Sequence, residues 1–248
     1  MTLDAHGWEV RTTTGDPALP TVVLLHGVGA GAASFASLQD VLEGELRSVA
    51  YSRRAALHDR GPCALDALVD ELVLVLDSVV GDEDVVLVGH SWGAVLARAL
   101  ATRLSERVRG VVLLDGTHER LAGVQRPAFR ALTQAARLLS RVSFASPVRT
   151  TAVRELAAIP ASLRLLPWPT QPVLAVVGGH GATARQRRVR EDMRVTYAEV
   201  ARQLPGTELV AVAGAGHRVA EDAPAETAAL IRRFLATTTR PTSGRSAS

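Results

Sequence analysis

The sequence has almost no cysteine and no lysine, and each absence excludes a class of chemistry. Cys63 is the only cysteine among 248 residues, so an internal disulfide and a thiolate metal cluster are excluded. All 28 basic residues are arginine. A chain without lysine has no phosphate-binding loop that ends in Gly-Lys-Ser/Thr, no Schiff-base lysine and no Tyr-x-x-x-Lys dehydrogenase pair.

Long apolar runs are missing as well. No run of about eighteen apolar residues occurs, which argues against a membrane span. Residues 1–6 lack the basic and apolar regions of a signal peptide, so we expect a cytoplasmic protein. The net charge is only +3, with acidic residues spread among the arginines. The pI near 9.9 therefore reflects arginine usage, and we expect no nucleic-acid partner.

Aliphatic residues are abundant, and 47% of the chain is hydrophobic. This fraction and the chain length suit one large α/β domain. Apolar runs typical of strands alternate with helical patterns, which predicts a mostly parallel, doubly wound sheet with right-handed crossovers. The predicted strands cover residues 6–13, 21–25, 49–51, 84–88, 108–114, 172–177 and 208–212. One predicted helix begins near residue 34, and the others cover residues 64–80, 92–104, 184–203 and 222–237.

Residues 84–98 form the most informative stretch. A buried strand leads into Gly89-x-Ser91-x-Gly93, and a helix follows. A serine on so tight a turn has a strained backbone and an exposed hydroxyl at a helix N-terminus, where backbone amides favour negative charge. At these residues the chain resembles the α/β-hydrolase family. The resemblance makes Ser91 the expected nucleophile and implies an eight-stranded sheet with a small helical cap; the alternative is a chance match in a glycine-rich chain.

The loop after the second strand carries another family feature, His26-Gly27. The resemblance implies that the backbone amides of Val28 and Trp92 form an oxyanion hole. His26 and Gly27 would then border the substrate pocket, with His26 supporting the loop. The same glycines and residues 52–54 also fit a dinucleotide fingerprint with a 2′-phosphate site, although a lone loop of this kind is a weak signal.

Among the seven histidines, His217 is the expected general base. It follows the last predicted strand in a glycine-rich loop, and the family order is serine, acid, histidine. A serine hydroxyl needs such a base to accept its proton as the new bond forms. His90 lies beside the nucleophile in sequence, and we expect its side chain to point away from Ser91.

The acid is less clearly marked. The family usually carries it after the next-to-last strand, but residues 178–184 contain no carboxylate. Some members place it one strand earlier, where this chain has Asp115. We therefore expect Asp115 to orient His217 and stabilise its imidazolium, although an aspartate at that place also caps turns. A dyad without an acid stays open, and the reserve candidates are Glu191, Asp192 and Asp222.

Residues 119–169 interrupt the alternation of strands and helices. They contain helical patterns near 126–141 and 148–158 and no strand pattern. The resemblance implies that this insertion is a helical cap over the site, and the alternative is additional scaffold helices. The hydrolase core would then comprise residues 1–118 and 170–237.

The expected substrate pocket is apolar and lies under this cap. The aromatic residues expected to line it are Phe129, Phe144 and Trp168. The polar tail, residues 238–248, has little to bury, so we expect it to be disordered.

Together these features predict a serine hydrolase without cofactor or metal that cleaves a carboxylic ester, thioester or lactone of a small acyl substrate. Haloalkane and epoxide hydrolysis on this scaffold use an aspartate nucleophile, and Ser91 argues against both. The alternatives are a peptidase similar to proline iminopeptidases, a carbon–carbon bond hydrolase, a cofactor-free oxygenase and a non-catalytic binding protein of the same fold. No oligomeric state is predicted.

Overall fold

An eight-stranded, mostly parallel sheet forms the centre of the described chain. The computed structural model describes residues 2–3, 8–53, 63–117, 127–139, 147–163 and 166–238. The strands, in chain order, are β1 (Thr2–Leu3), β2 (Glu9–Thr13), β3 (Thr21–Leu25), β4 (Ser48–Ser52), β5 (Val85–His90), β6 (Val108–Leu114), β7 (Val173–Gly178) and β8 (Thr207–Val212). Their order across the sheet is β1-β2-β4-β3-β5-β6-β7-β8.

The first two strands run antiparallel to their neighbours, and all later pairs are parallel. Strand β3 lies between β4 and β5, so the chain order reverses near the middle of the sheet. β3, β4 and β7 are buried along their whole length, as expected for strands covered by helices on both faces. The carboxyl ends of β3, β5, β6 and β7 therefore meet at one edge of the sheet.

Helices cover both faces of this sheet. They are α1 (Ala36–Leu42), α2 (Leu65–Val79), α3 (Trp92–Arg103), α4 (Pro127–Leu139), α5 (Pro147–Leu163), α6 (Ala184–Gln203), α7 (Val219–Asp222) and α8 (Pro224–Thr238). Buried residues of α2, α3, α5 and α6 pack with one face of the strands. Buried residues of α1, α7 and α8 pack with the other face. The structure thus has the doubly wound architecture that the sequence predicts.

The elements differ from the predicted ones mainly at their ends. A 3₁₀ turn, Ala32–Phe35, precedes α1, which begins at Ala36. The two-residue strand β1 and the four-residue helix α7 were not predicted, because elements this short show no periodicity. None of the described helices has the length and apolar character that crossing a membrane requires.

Two helices, α4 and α5, lie within the predicted cap. Ile159 and Leu163 near the end of α5 are buried in the same cluster as α2 and α3. The boundaries of a separate cap stay a prediction. The tail beyond Thr238 lies outside the described residues.

Candidate active site

Ser91 occupies a sharp turn between β5 and α3, with φ 52° and ψ −114°. Left-handed backbone is unfavourable for a non-glycine residue and is kept only where the surroundings enforce it. The Ser91 amide donates to Leu114 O at 3.1 Å, and Ser91 O accepts from the amides of Ala94 at 3.1 Å and Thr117 at 3.0 Å. These bonds tie the turn to the end of β6.

The glycines beside Ser91 permit close backbone approach. A Cβ at Gly93 would lie 1.9 Å from Leu25 O, and one at Gly89 would lie 2.4 Å from Gly93 O. Both distances are far shorter than any non-bonded contact, so neither position accepts a side chain without movement of the backbone. The turn therefore depends on glycine at both positions.

The loop after β3 lies against this turn. A Cβ at Gly27 would be 3.2 Å from Ser91 Cβ and 3.2 Å from His90 Nδ1. The Val28 amide belongs to this loop, and the Trp92 amide lies at the start of α3 with the indole completely buried. The Trp92 amide thus follows Ser91 directly, and the loop that carries Val28 lies against the turn; their role as an oxyanion hole stays a prediction.

His26 is completely buried, and its predicted place at the border of the substrate pocket stays a prediction. Its Nδ1 donates to Gly27 O at 2.8 Å, and its Nε2 accepts from the Arg53 amide at 3.3 Å. Burial, and next the Arg53 charge, hold the pKa of His26 well below its ordinary value. A neutral ring with the proton on Nδ1 satisfies both contacts.

Asp115 lies directly after β6 and contacts the histidine loop, the loop after β8 that carries His217. Its Oδ2 accepts from His217 Nδ1 at 2.6 Å, and its Oδ1 accepts from the Gly178 amide at 3.2 Å. The carboxylate is completely buried, and the backbone has φ 47°. The structure therefore brings the predicted acid and the predicted base together.

The reserve carboxylates have other surroundings. Asp222 Oδ2 accepts from the Gly216 amide at 2.8 Å and so supports the histidine loop. Glu191 pairs with Arg194 at 3.6 Å on the surface of α6. Asp192 lies on the same helix, where its backbone carbonyl accepts from Thr196. Asp115, by contrast, is hydrogen-bonded to His217.

His217 is half-exposed, and its ring lies beside that of His90, with 4.8 Å between centroids. His90 Nε2 donates to His217 O at 2.8 Å, which fixes the loop against the end of β5. Partial burial, and next the Arg190 charge, lower the pKa of His217 to about 4, with Asp222 acting in the opposite direction. The imidazole is therefore neutral at pH 7 and able to accept a proton.

Within the described part of the chain, Ser91 Oγ makes no hydrogen bond. In free enzymes the bond between nucleophile and base is often long and shortens only when substrate binds. The hydrogen-bonded pair is Asp115 and His217, and Ser91 lies at the carboxyl end of β5.

Among the three predicted pocket aromatics, the structure describes only the side chain of Trp168. The Arg98 guanidinium lies 3.8 Å from its ring centre, and Tyr197 meets it edge-on at 6.3 Å between centroids. Its role in substrate binding stays a prediction. The side chain of Phe129 and all of Phe144 lie outside the described residues.

Sequence reasoning missed two arginines of the site. Arg190 on α6 donates to Asp115 Oδ2. The dinucleotide alternative assigns Arg53 to a 2′-phosphate, but its side chain is 1% exposed and bonded to Glu155. In the described residues, no group of three or more histidine, cysteine or carboxylate side chains is placed to hold a metal ion.

The strand order and the turn at Ser91 are those of a doubly wound α/β protein with its functional residues at the carboxyl ends of the strands. A sequence model of the Alpha/beta hydrolase family matches residues 22–230. The chain belongs to this family.

The similarity to a curated relative covers only part of the chain. The protein named "Putative carbamate hydrolase RutD" from Klebsiella pneumoniae (strain 342) is 31% identical over 104 residues, which cover 40% of this chain and 39% of that protein. The match thus spans about two fifths of that relative.

Two solved structures share the fold along nearly the whole chain. A thermophilic esterase from Thermogutta terrifontis superposes with a TM-score of 0.67 at 19% identity, covering 94% of each chain. An AqdC variant, described with recognition and ring-cleavage of the Pseudomonas quinolone signal, superposes with a TM-score of 0.69 at 20% identity and covers 95% of this chain and 98% of its own. At these identities the likeness shows the fold alone.

Proposed function

We propose that this protein is a serine hydrolase that cleaves a small carboxylic ester, thioester or lactone through an acyl-enzyme on Ser91. The observation that supports this most is the bond between His217 Nδ1 and the buried Asp115, 2.6 Å long, next to a serine in strained backbone at the start of a helix. Activity without a cofactor and a cytoplasmic location belong to the same proposal.

In this mechanism Ser91 Oγ attacks the carbonyl carbon, and His217 Nε2 takes the hydroxyl proton. The imidazolium then returns that proton to the leaving group, and water attacks the acyl-enzyme with His217 again as base. The amides of Val28 and Trp92 stabilise the negative oxygen that forms in both steps. A donor of this kind commonly lowers the barrier by roughly 3 to 4 kcal/mol.

Asp115 supports the base in two ways. It accepts from Nδ1 and so keeps the proton there, which leaves Nε2 free to act on the serine. Its negative charge also stabilises the imidazolium while the proton is held. Because the carboxylate is buried and bonded to the Gly178 amide, its position does not depend on solvent.

Fluorophosphonate labelling tests the nucleophile. We expect one equivalent of probe on the native protein, on Ser91, and none on Ser91→Ala. The control is Ser105→Ala, which changes an exposed serine in the turn after α3 and should be labelled like the native protein. An unlabelled native protein would favour the non-catalytic binding protein.

Carbamates form a second candidate substrate class, favoured by the partial match to the carbamate hydrolase relative. The same attack on a carbonyl carbon applies to them. A panel of chromogenic esters, thioesters, lactones and carbamates of increasing chain length would rank these classes by kcat/KM. Peptide and carbon–carbon substrates in the same panel test the remaining alternatives.

A further inference from the structure

Arg53 lies directly after β4, and its guanidinium is buried beneath the loop that carries Val28. Nη1 donates to His26 O at 2.7 Å, and Nη2 donates to Gly27 O at 3.0 Å. One planar group therefore binds two successive carbonyls of this loop. Two such hydrogen bonds from one guanidinium fix the orientation of the carbonyls as well as their distance.

The second of these carbonyls determines where the Val28 amide points. Gly27 C=O and Val28 N–H belong to the same peptide unit, which is planar and trans, so the two bonds point in opposite directions. When Arg53 holds Gly27 O on the buried side, the Val28 N–H points to the opposite side of the loop. His26 Nδ1 is a second donor to the same oxygen, at 2.8 Å.

The charge partner of Arg53 comes from a distant part of the chain. Glu155 on α5 accepts from Arg53 Nε through Oε1 at 2.7 Å, and each side chain is 1% exposed. Ala152 lies one turn earlier on the same helix, and a Cβ at Gly29 would be 3.3 Å from its Cβ. Helix α5 thus contacts the loop directly and also through the ion pair.

The pair depends strongly on both partners. Removing one partner of a buried ion pair leaves the other charge buried without compensation, which is unfavourable. The contact from Arg53 to Glu155 is a single hydrogen bond, because Glu155 Oε2 is buried without a hydrogen-bond partner in the described residues. Displacement of α5 would therefore leave Arg53 uncompensated beneath the loop.

We propose that Arg53 and Glu155 are positioning residues that couple the loop after β3, residues 26–31, to helix α5, so that the Val28 amide takes its hydrogen-bonding orientation only while α5 is docked. The catalytic part of this inference rests on the proposed function, because it assigns the Val28 amide to the oxyanion hole. The coupling itself concerns only the loop and the helix.

Kinetics of the full chain test the catalytic part. Loss of one oxyanion donor lowers kcat by about 100-fold to 1,000-fold, so we expect a misoriented one in Arg53→Met or Glu155→Leu to lower it about tenfold to 100-fold, with KM little changed. The double variant should match Arg53→Met, because Glu155 acts through Arg53. Arg53→Lys keeps the charge but loses the two parallel hydrogen bonds to the loop carbonyls, so its kcat should also fall.

The matched control is Arg109→Met, which removes an arginine–carboxylate pair with Asp84 at the amino end of the sheet and should keep kcat. Equal losses in this control, additive losses in the double variant, or a change in KM alone would overturn the positioning role. Thermal melts of each variant, and the milder Glu155→Gln, separate misorientation from unfolding.

Hydrogen exchange tests the coupling independently of activity. We expect faster exchange of the peptide covering residues 26–31 in Arg53→Met, Glu155→Leu and Glu155→Gln, and native exchange in Arg109→Met. Faster loop exchange in a protein that fluorophosphonate does not label would overturn the proposed function and support the coupling. Native loop exchange in all three variants would overturn the coupling, whatever the activity.

Discussion

Arg190 and His217 donate to the same oxygen of one carboxylate. Arg190 Nη1 on α6 and His217 Nδ1 on the loop after β8 both bond Asp115 Oδ2. The Arg190 side chain is 10% exposed, and its charge is therefore little screened by water. The Asp115 carboxylate, which stabilises the imidazolium in the proposed mechanism, is thus partly neutralised by the Arg190 charge.

The contact of Arg190 with the partner of His217 predicts how kcat/KM falls on the acidic side of its pH profile. The pKa of His217 is lowered to about 4 by partial burial and by Arg190, and only the neutral imidazole accepts a proton. A lowered pKa means that kcat/KM holds at neutral pH and falls only as the pH drops through that value. In Arg190→Gln the repulsion is lost, so the acidic limb should move up by about one pH unit or more.

The measurement is kcat/KM across the acidic and neutral range for the native protein and three variants. Arg190→Lys keeps the charge and should keep the limb close to its native position. Arg188→Gln removes an exposed arginine of the same helix and should leave it unchanged. An acidic limb that stays in place in Arg190→Gln would show that Arg190 does not set the basicity of His217.

A second prediction concerns the acid. Asp115→Asn should lower turnover by about 100-fold to 10,000-fold, because an amide in this position favours the wrong tautomer of His217 and supplies no charge. Asp192→Asn is the matched control, since Asp192 lies on α6 and was a reserve candidate, and it should keep turnover. The comparison is kcat on one chromogenic ester. Native turnover in Asp115→Asn would move the role to another carboxylate or to none.

The features that the sequence predicts are those that depend on local patterns. The turn at Ser91 needs glycine at fixed offsets, and the histidine loop follows the last strand. Asp115 is predicted from the family resemblance, because some members carry the acid one strand earlier and residues 178–184 contain no carboxylate. These signals are short in sequence and place side chains at known ends of strands, where parallel topology brings them together.

The supporting arginines could not be predicted in this way. Arg53 and Glu155 are 102 residues apart in sequence, and Arg190 and Asp115 are 75 apart. Each arginine is one of many in a chain that uses no other basic residue except histidine. The burial of each arginine and the carboxylate that it binds depend on how α5 and α6 pack against the sheet, and no local sequence pattern predicts that packing. The short elements β1 and α7 were missed because they are stabilised by neighbours rather than by periodicity.

The final prediction concerns the stability of the turn at Ser91. A Cβ at Gly93 would lie 1.9 Å from Leu25 O and 2.9 Å from His26 O, and both obstacles are backbone atoms that no rotamer change moves. Gly93→Ala should therefore displace α3 from β3 and lower the free energy of unfolding by about 3 kcal/mol. The displacement also shifts the Trp92 amide, so labelling of Ser91 should slow.

Gly214→Ala is the control, because a Cβ there meets nothing within 4 Å, and it should change the free energy of unfolding by less than about 0.5 kcal/mol. Denaturant unfolding of both variants provides the measurement, and equal stability of the two would show that strand and helix do not approach as closely as the structure places them.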